Sequence, residues 1–212
     1  MKYLFFTIIC LTSTFGFSQN APFKLIKKNG DTINFELYSY NKKEFTYSTE
    51  KPTRSNKPKI SLFGIGKRLT KLKNGKKILL KDIEKLILNT SFSYAREKDA
   101  KFFVPYSKFI KIKNKYRKLE VITEGYCDLY IDLNDTTAYN FYVKRKNEDN
   151  ATEIQAHSAF GARFKKVGPK YFNDCPTVLE LISESEYKTR LDFLLKKLEK
   201  IVISYNKDCN KI

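Results

Sequence analysis

The chain has 212 residues, and its 41 Lys and Arg against 23 Asp and Glu give a formal net charge of +18. Hydrophobic residues make up 42% and charged residues 30% of the sequence, which is ordinary for a folded protein and excludes disorder over most of the chain. The length suits one well-packed domain, or one domain with an appendage.

Residues 1–18 have the features of a secretory signal peptide. Lys2 precedes an apolar run from Tyr3 to Leu11, and small residues follow before the expected cleavage after Ser18. Cys10 lies within the apolar run, without the small residues that precede a lipoprotein cysteine, so no lipid anchor is expected. No later stretch is apolar enough to span a bilayer. We therefore expect an exported, soluble protein of the periplasm or the cell surface.

Residues 19–155 are predicted to form an antiparallel β domain. Its first hairpin is centred on Asn29-Gly30, because this pair favours the backbone of tight two-residue turns. Apolar residues alternate beyond the turn at Ile33, Phe35 and Leu37, which predicts one continuous strand.

A further strand is predicted around Phe45 and Tyr47, followed by a polar loop at residues 50–59. A second Asn-Gly pair at Asn74-Gly75 predicts another hairpin. The polar, unpatterned residues 89–101 are interpreted as a long connection.

The stretch at residues 119–133, LEVITEGYCDLYIDL, is predicted to be one long strand at the centre of the sheet. Asn134-Asp135 provides turn residues, and the alternation resumes from Tyr139 to Val143 as a hairpin partner. The result is an antiparallel meander or a partly closed barrel. The expected apolar face of the long strand comprises Leu119, Val121, Thr123, Gly125, Cys127, Leu129, Ile131 and Leu133.

From Phe172 onward the apolar residues recur at helical spacing. Asp174 is expected to cap a first helix, with Pro176 in its opening turn. Residues 156–212 are therefore predicted to form a helical subdomain, a hairpin that covers the meander in an α+β fold. The apolar stripe of the second helix is Tyr187, Leu191, Leu194, Leu195, Leu198, Ile201, Val202 and Tyr205.

Three cysteines remain after removal of the signal peptide. Cys175 begins the first predicted helix and Cys209 ends the second, so an antiparallel hairpin brings the two together. We predict a disulfide between them, as an exported compartment permits. Cys127, on the apolar face of the long strand, is predicted to be a buried free thiol.

The residue pattern indicates no enzyme, and we expect no cofactor and no metal. The lone histidine, His157, does not support a zinc site, and the nucleophile motif of serine hydrolases is missing from the sequence. Glu124, Asp128 and Asp132 could flank a glycosidic bond, which leaves a hydrolase as a third possibility. A solvated outer sheet face is the simpler interpretation of these carboxylates.

The positive charge favours an anionic partner. A competing explanation is compositional, because Lys greatly outnumbers Arg, and Asn, Ile, Phe and Tyr are abundant, as in proteins from AT-rich genomes. The arginines, which read bases and bind phosphate with two hydrogen bonds, are scattered singly along the chain. No nucleic-acid partner is therefore expected.

Several motifs resemble those of small exported Bacteroidetes-type proteins of unknown function. They are NGDTI at residues 29–33, LEVITEGYCDLY at residues 119–130, and YVKR at residues 142–145. The resemblance implies export, a β-rich body and a helical tail, and it implies no activity. It is clearest near the end of the chain, in Tyr171, Phe172, Asp174, Cys175, Pro176, Tyr205, Asn206 and Cys209.

Two functions remain open at this stage. In the first, a non-enzymatic envelope protein uses its sheet and basic face to bind another envelope protein or an anionic polymer, weakly and with sensitivity to salt. In the second, the meander closes into a lipocalin-like carrier of a small apolar ligand. The ligand would then lie among Phe102, Phe103, Tyr130, Tyr139 and Phe141.

Overall fold

A computed structural model describes residues 23–50, 72, 75–88, 91–93, 101–103, 106–133, 139–156, 162–184 and 191–209. The expected signal peptide, Asn74, the Asn134-Asp135 turn and His157 lie outside these residues. The predicted α+β class is confirmed, because antiparallel strands precede helices along the chain. None of the described helices is both long and apolar enough to cross a membrane.

The described strands all pair antiparallel. They are β1 (Phe23–Lys27), β2 (Thr32–Phe35), β3 (Leu37–Tyr40), β4 (Glu44–Ser48), β5 (Lys76–Leu79), β6 (Ile83–Ile87), β7 (Ser91–Ser93), β8 (Lys101–Phe103), β9 (Ser107–Ile112), β10 (Lys115–Thr123), β11 (Cys127–Asp132), β12 (Asn140–Arg145) and β13 (Thr152–Ala156). The main sheet has eight strands in the order β13-β12-β11-β10-β9-β6-β1-β2. A smaller sheet has the order β3-β4-β5, and β7 pairs with β8 alone.

The hairpin predicted at Asn29-Gly30 is confirmed. Gly30 has a positive φ of 89°, a conformation that glycine adopts without a steric penalty. The side-chain oxygen of Asn29 accepts a hydrogen bond from the backbone N–H of Asp31 at 3.2 Å. These contacts fix the register in which β1 pairs with β2.

The continuous strand predicted through Ile33 and Leu37 is divided in two at Glu36. β2 pairs with β1 in the main sheet, whereas β3 pairs with β4 in the smaller one. The backbone N–H of Glu36 donates to the carbonyl of Ser48 at 2.9 Å, which starts the new pairing. Side chains from both sheets meet in an aromatic-rich cluster made of Leu25, Phe35, Phe45, Tyr47, Leu80, Ile83, Leu86 and Phe109.

The single long strand predicted at residues 119–133 is wrong, because the chain reverses at its centre. β10 ends at Thr123, and β11 returns beside it with Glu120 opposite Ile131. A tight turn contains Gly125, whose N–H donates to the Asp128 carboxylate at 3.0 Å. The alternation of apolar residues persists across this turn, so the pattern conceals the reversal.

As a result, the predicted apolar face is distributed over both faces of the sheet. Leu119 and Val121 belong to one buried cluster, whereas Leu129 and Ile131 belong to another. The predicted pairing of the next strand is confirmed, since Phe141 in β12 lies opposite Ile131. Residues 89–101, interpreted as a plain connection, include β7 and the start of β8.

Three helices, not two, follow the described strands: α1 (Ala162–Tyr171), α2 (Pro176–Glu184) and α3 (Leu191–Asp208). The sequence did not indicate α1, because Gly168 and Pro169 are poor helix formers. In the fold, Gly168 allows a close approach to the Phe164 ring, since a Cβ there would lie 2.9 Å from it.

The predicted capping role of Asp174 is also wrong. Pro176 opens α2 as expected, but the carbonyl of Cys175 accepts the first hydrogen bonds, from the N–H groups of Val178 and Leu179. The Asp174 carboxylate instead binds Arg145 and Tyr205.

The helices cover one face of the main sheet and build the largest core cluster. It comprises Cys127, Leu129, Ile131, Tyr139, Phe141, Val143 and Ile154 from the sheet side, and Phe164, Phe172, Cys175, Val178, Ile182, Leu195, Leu198, Ile201, Val202 and Tyr205 from the helical side. The sheet curls around its other face without closing. A hydrogen bond from the N–H of Ala151 to the carbonyl of Lys111, 2.9 Å long, joins the approach to β13 with β9 across the curl.

Candidate functional site

The predicted disulfide between Cys175 and Cys209 is present, with a Cα–Cα distance of 5.7 Å. It joins the residue before α2 to the residue after α3. Cys127 is a buried free cysteine, as predicted. Burial raises the pKa of its thiol to about 12. The thiol is therefore protonated at neutral pH, and it is not a nucleophile.

Beside the disulfide, the guanidinium of Arg145 connects the end of β12 to the helices. One of its nitrogens donates to the carbonyl of Tyr171 at 2.5 Å and to the Asp174 carboxylate at 2.8 Å. The guanidinium also lies 4.6 Å from the ring centroid of Tyr171 and 5.1 Å from that of Tyr205. Two aromatic faces and two oxygen acceptors thus hold one cation.

The two tyrosines complete this arrangement with their hydroxyl groups. Tyr205 donates to Asp174 at 2.7 Å, and Tyr171 donates to Glu148 at 2.7 Å. The same Glu148 oxygen accepts the backbone N–H of Arg145 at 3.0 Å. Burial, with the adjacent carboxylates, raises the pKa of both phenols, so both remain donors at neutral pH.

Asn206 attaches the last turns of α3 to the turn between β10 and β11. Its amide oxygen accepts the N–H of Cys127 at 2.8 Å, and its amide nitrogen donates to the carbonyl of Cys127 at 2.9 Å. Any side chain at Gly125 would collide with Asn206. We call this set of contacts the anchoring cluster; its members are Gly125, Cys127, Arg145, Glu148, Tyr171, Asp174, Tyr205 and Asn206.

The anchoring cluster brings together residues from three sequence motifs that lie far apart along the chain. Gly125 and Cys127 come from the central motif, Arg145 from the next, and the helical residues from the ending of the chain. The carboxylates of Glu148 and Asp174 are both hydrogen-bonded, and both phenols donate. The cluster therefore fixes the helices to the sheet.

The three carboxylates considered for a hydrolase are each engaged with neighbours. Glu124 contacts Lys108 at 2.5 Å, and Asp128 accepts the hydroxyl of Tyr130 at 2.6 Å. Asp132 lies 3.4 Å from Arg117. Within the described ranges, no group of three or more Cys, His, Asp or Glu is arranged to hold a metal ion.

The five residues proposed for a carrier do not all meet. Tyr139 and Phe141 contact each other under the helices, with ring centroids 5.8 Å apart. Tyr130 lies in the cluster on the opposite face of the sheet, packed with the side chains that fill the inside of the curl. Phe102 and Phe103 belong to β8, and their side chains fall outside the described part of the structure.

A different surface feature appears at one end of the β structure, where three chain segments lie side by side. The N–H of Lys28, in the β1–β2 turn, donates to the carbonyl of Asp82 at 3.0 Å. The N–H of Leu80 donates to the carbonyl of Lys43, next to the β3–β4 turn, at 2.9 Å. We call the exposed surface of residues 27–31, 41–44 and 77–82 the basic corner.

The basic corner carries six lysines against three carboxylates, a net charge of +3. Two of the carboxylates are occupied, since Asp31 pairs with Lys27 at 3.1 Å and Glu44 with Lys77 at 3.5 Å. The remaining lysines are exposed, and in the described part of the chain no carboxylate forms an ion pair with them. They are Lys28, Lys42, Lys43 and Lys81.

No family model, curated protein or solved structure matches this chain. Its function must therefore be argued from its own surface, and the basic corner is the part that sequence reasoning missed. One signal for it does exist in the sequence. Residues 51–81 contain eleven Lys or Arg and no Asp or Glu, and the last of these residues reach the corner.

Proposed function

We propose that this protein is an exported, non-enzymatic binding protein of the cell envelope, whose basic corner contacts an anionic partner. The observation that carries the proposal is the convergence of Lys28, Lys42, Lys43 and Lys81 from three segments that are separate in sequence. Like charges repel, so such a grouping stabilises nothing within the fold itself. An anionic partner would offset that repulsion.

The lysine content of the corner indicates what kind of recognition to expect. An ammonium group is a compact, strongly hydrated point charge, whereas arginine offers a planar pair of donors that selects for geometry. The corner contains no arginine. We therefore expect recognition of charge density, with modest affinity and strong screening by salt.

The chain that connects β4 to β5 adds to the positive charge of the protein. Residues 51–75 contain eight Lys or Arg and no acidic residue, and they are joined covalently to both strands. Long-range attraction of an anionic partner depends on the summed charge of a region. The excess of positive charge therefore strengthens the long-range attraction of an anionic partner to this protein.

Export is supported by the signal-like sequence of residues 1–18 and by the disulfide. Disulfides persist in oxidising compartments and are rare where thiols are kept reduced. A non-enzymatic role is supported by the engagement of Glu124, Asp128 and Asp132 with neighbouring groups.

The proposal can be tested by measuring the binding of fluorescent inorganic polyphosphate over a range of salt concentrations. The test variant combines Lys28→Gln, Lys42→Gln, Lys43→Gln and Lys81→Gln. We expect its affinity to fall by at least about tenfold, with a weaker dependence on salt, because its four charges no longer displace counterions.

A matched control removes the same net charge elsewhere on the surface. It combines Lys146→Gln, Lys166→Gln, Lys170→Gln and Lys196→Gln, all at exposed positions away from the corner. This control should change the affinity by less than about threefold if the corner is the contact surface. Equal losses in the two variants would contradict the proposal.

A further inference from the structure

We infer that the anionic partner of the basic corner is a lipid bilayer surface, and that Leu79 enters the bilayer interface between the lysines. This inference rests on the proposed function and names its partner. A soluble polyanion needs positive charge alone, whereas a bilayer offers phosphate groups above an apolar layer. The basic corner offers lysines to the phosphate groups and an exposed leucine to the apolar layer.

The geometry of β5 explains why Leu79 is exposed. Successive side chains of β5 alternate between the two faces of the smaller sheet. Ile78 lies opposite the buried Phe45, whereas Leu79 lies opposite Glu44 on the outward face, where 43% of its surface remains exposed. The next residue, Leu80, is completely buried and fixes this part of the chain in place.

The lysines surround Leu79 on adjoining segments. Lys77 shares its face of β5, and Lys81 follows it by two residues. Lys43 is held close by the hydrogen bond from the N–H of Leu80 to its carbonyl. Long lysine side chains can reach phosphate groups while an apolar residue between them enters the interface.

The three segments can meet a flat surface together because they form one end of the β structure. Backbone hydrogen bonds link the β1–β2 turn to Asp82, and Leu80 to Lys43. Neighbouring segments joined in this way are about 5 Å apart, so the three segments lie next to one another at this end. A bilayer can contact all of them at once.

The test exploits the complete lack of tryptophan in the chain. In the variant Leu79→Trp the only indole reports the polarity at the tip of the corner. The matched control is Ile203→Trp, because Ile203 lies on α3 and is 49% exposed. With vesicles that contain phosphatidylglycerol, we expect a blue shift of the emission for Leu79→Trp and no shift for Ile203→Trp.

Co-sedimentation with the same vesicles supplies the affinity. Leu79→Ser should weaken binding by about tenfold, since burial of a leucine side chain is lost, whereas Ile203→Ser should leave it unchanged. Vesicles of phosphatidylcholine alone should bind neither the wild-type protein nor the variants, because the lysines then meet no net charge.

Other outcomes separate this inference from the proposed function. Binding of polyphosphate without binding of vesicles would overturn the lipid partner and leave the proposed function standing. The inferred insertion of Leu79 would also be wrong if vesicles bind but Leu79→Ser and Leu79→Trp show neither effect, since the contact is then purely electrostatic. If neither polyphosphate nor vesicles bind the wild-type protein, both proposals are wrong.

Discussion

Arg145 illustrates how a single residue can join several parts of this protein. Its side chain is 18% exposed and contacts the end of α1 through Tyr171, the turn before α2 through Asp174, and α3 through the ring of Tyr205. Each contact uses a different property of the guanidinium, namely its donors, its charge or its flat face. Lysine has charge and donors, but it lacks the flat, forked group that contacts two acceptors and two aromatic rings at once.

We therefore predict that Arg145→Lys lowers the free energy of unfolding almost as much as Arg145→Ala, by about 3 kcal/mol. Both changes leave the Tyr171 carbonyl and Asp174 without their shared partner. Urea denaturation followed by circular dichroism measures the effect. The adjacent, exposed Lys146 provides the control, because Lys146→Ala should cost less than about 0.5 kcal/mol. A full rescue by lysine would show that charge alone matters at this position.

Among the helices, α3 is attached at its C-terminal end by several independent contacts. Tyr205 and Asn206 bind Asp174 and Cys127, and the disulfide follows at Cys209. The apolar face of α3 packs on the sheet along the described length of the helix, at Leu195, Leu198, Ile201 and Val202 among others. The disulfide thus closes a structure that packing already positions.

For the same pair of helices, we predict that Cys175→Ser combined with Cys209→Ser lowers the free energy of unfolding by about 4 kcal/mol. The pair is separated by 34 residues in sequence, and a closed loop of that size restricts the unfolded chain by this amount in the entropic description. Thermal denaturation with and without a reductant tests it. The reductant should lower the melting temperature of the wild-type protein to that of the double variant, and should leave the variant unchanged.

Across the whole molecule, a buried ion pair lies where two apolar clusters adjoin. The ammonium of Lys118 is 2.7 Å from the Glu120 carboxylate, and the two side chains are only 13% and 8% exposed. Lys118 lies opposite Phe109 of the aromatic-rich cluster. Glu120 lies opposite Ile131 of the largest core cluster, which the helices cover.

The burial of Lys118 and Glu120 affects the pKa of both groups. Burial raises the pKa of Glu120, although the charge of Lys118 opposes the shift. For Lys118, burial favours a lower pKa, but the charge and hydrogen bond of Glu120 raise it above its usual value. Each group thus depends on the other to remain charged inside the protein.

We predict that Glu120→Gln lowers the free energy of unfolding by about 3 kcal/mol, because the buried charge of Lys118 then loses the carboxylate of Glu120. Replacing both residues, with Lys118→Met and Glu120→Leu, should change stability by less than about 1 kcal/mol or increase it, since two apolar side chains would join the adjacent clusters. Chemical denaturation provides the measurement.

An exposed pair provides the comparison for this experiment. Glu44 and Lys77 lie 3.5 Å apart with 36% and 63% of their side chains exposed, so Glu44→Gln should cost less than about 1 kcal/mol. If the double replacement destabilised the protein as much as Glu120→Gln alone, the ion pair would be a net source of stability, contrary to this view.

The sequence by itself determined those features of the protein that depend on neighbouring residues. Asn29-Gly30 specified its hairpin, because the turn needs only a local backbone conformation. The apolar stripe of α3 specified a helix with one buried face, because helical period is local. The disulfide was predicted from the same local information, since an antiparallel hairpin of the two predicted helices brings Cys175 and Cys209 to one end.

Only the tertiary structure decided which residues from distant segments meet. The reversal at Gly125 was hidden because alternation has the same period on both sides of a turn, so it could not show on which face Leu119 or Leu129 lies. Helix α1 forms despite Gly168 and Pro169 because the burial of its Phe164 in the core between the helices and the sheet outweighs local propensity. The anchoring cluster and the basic corner likewise arise from pairings between segments that are far apart in sequence, so local patterns do not show which of their residues meet.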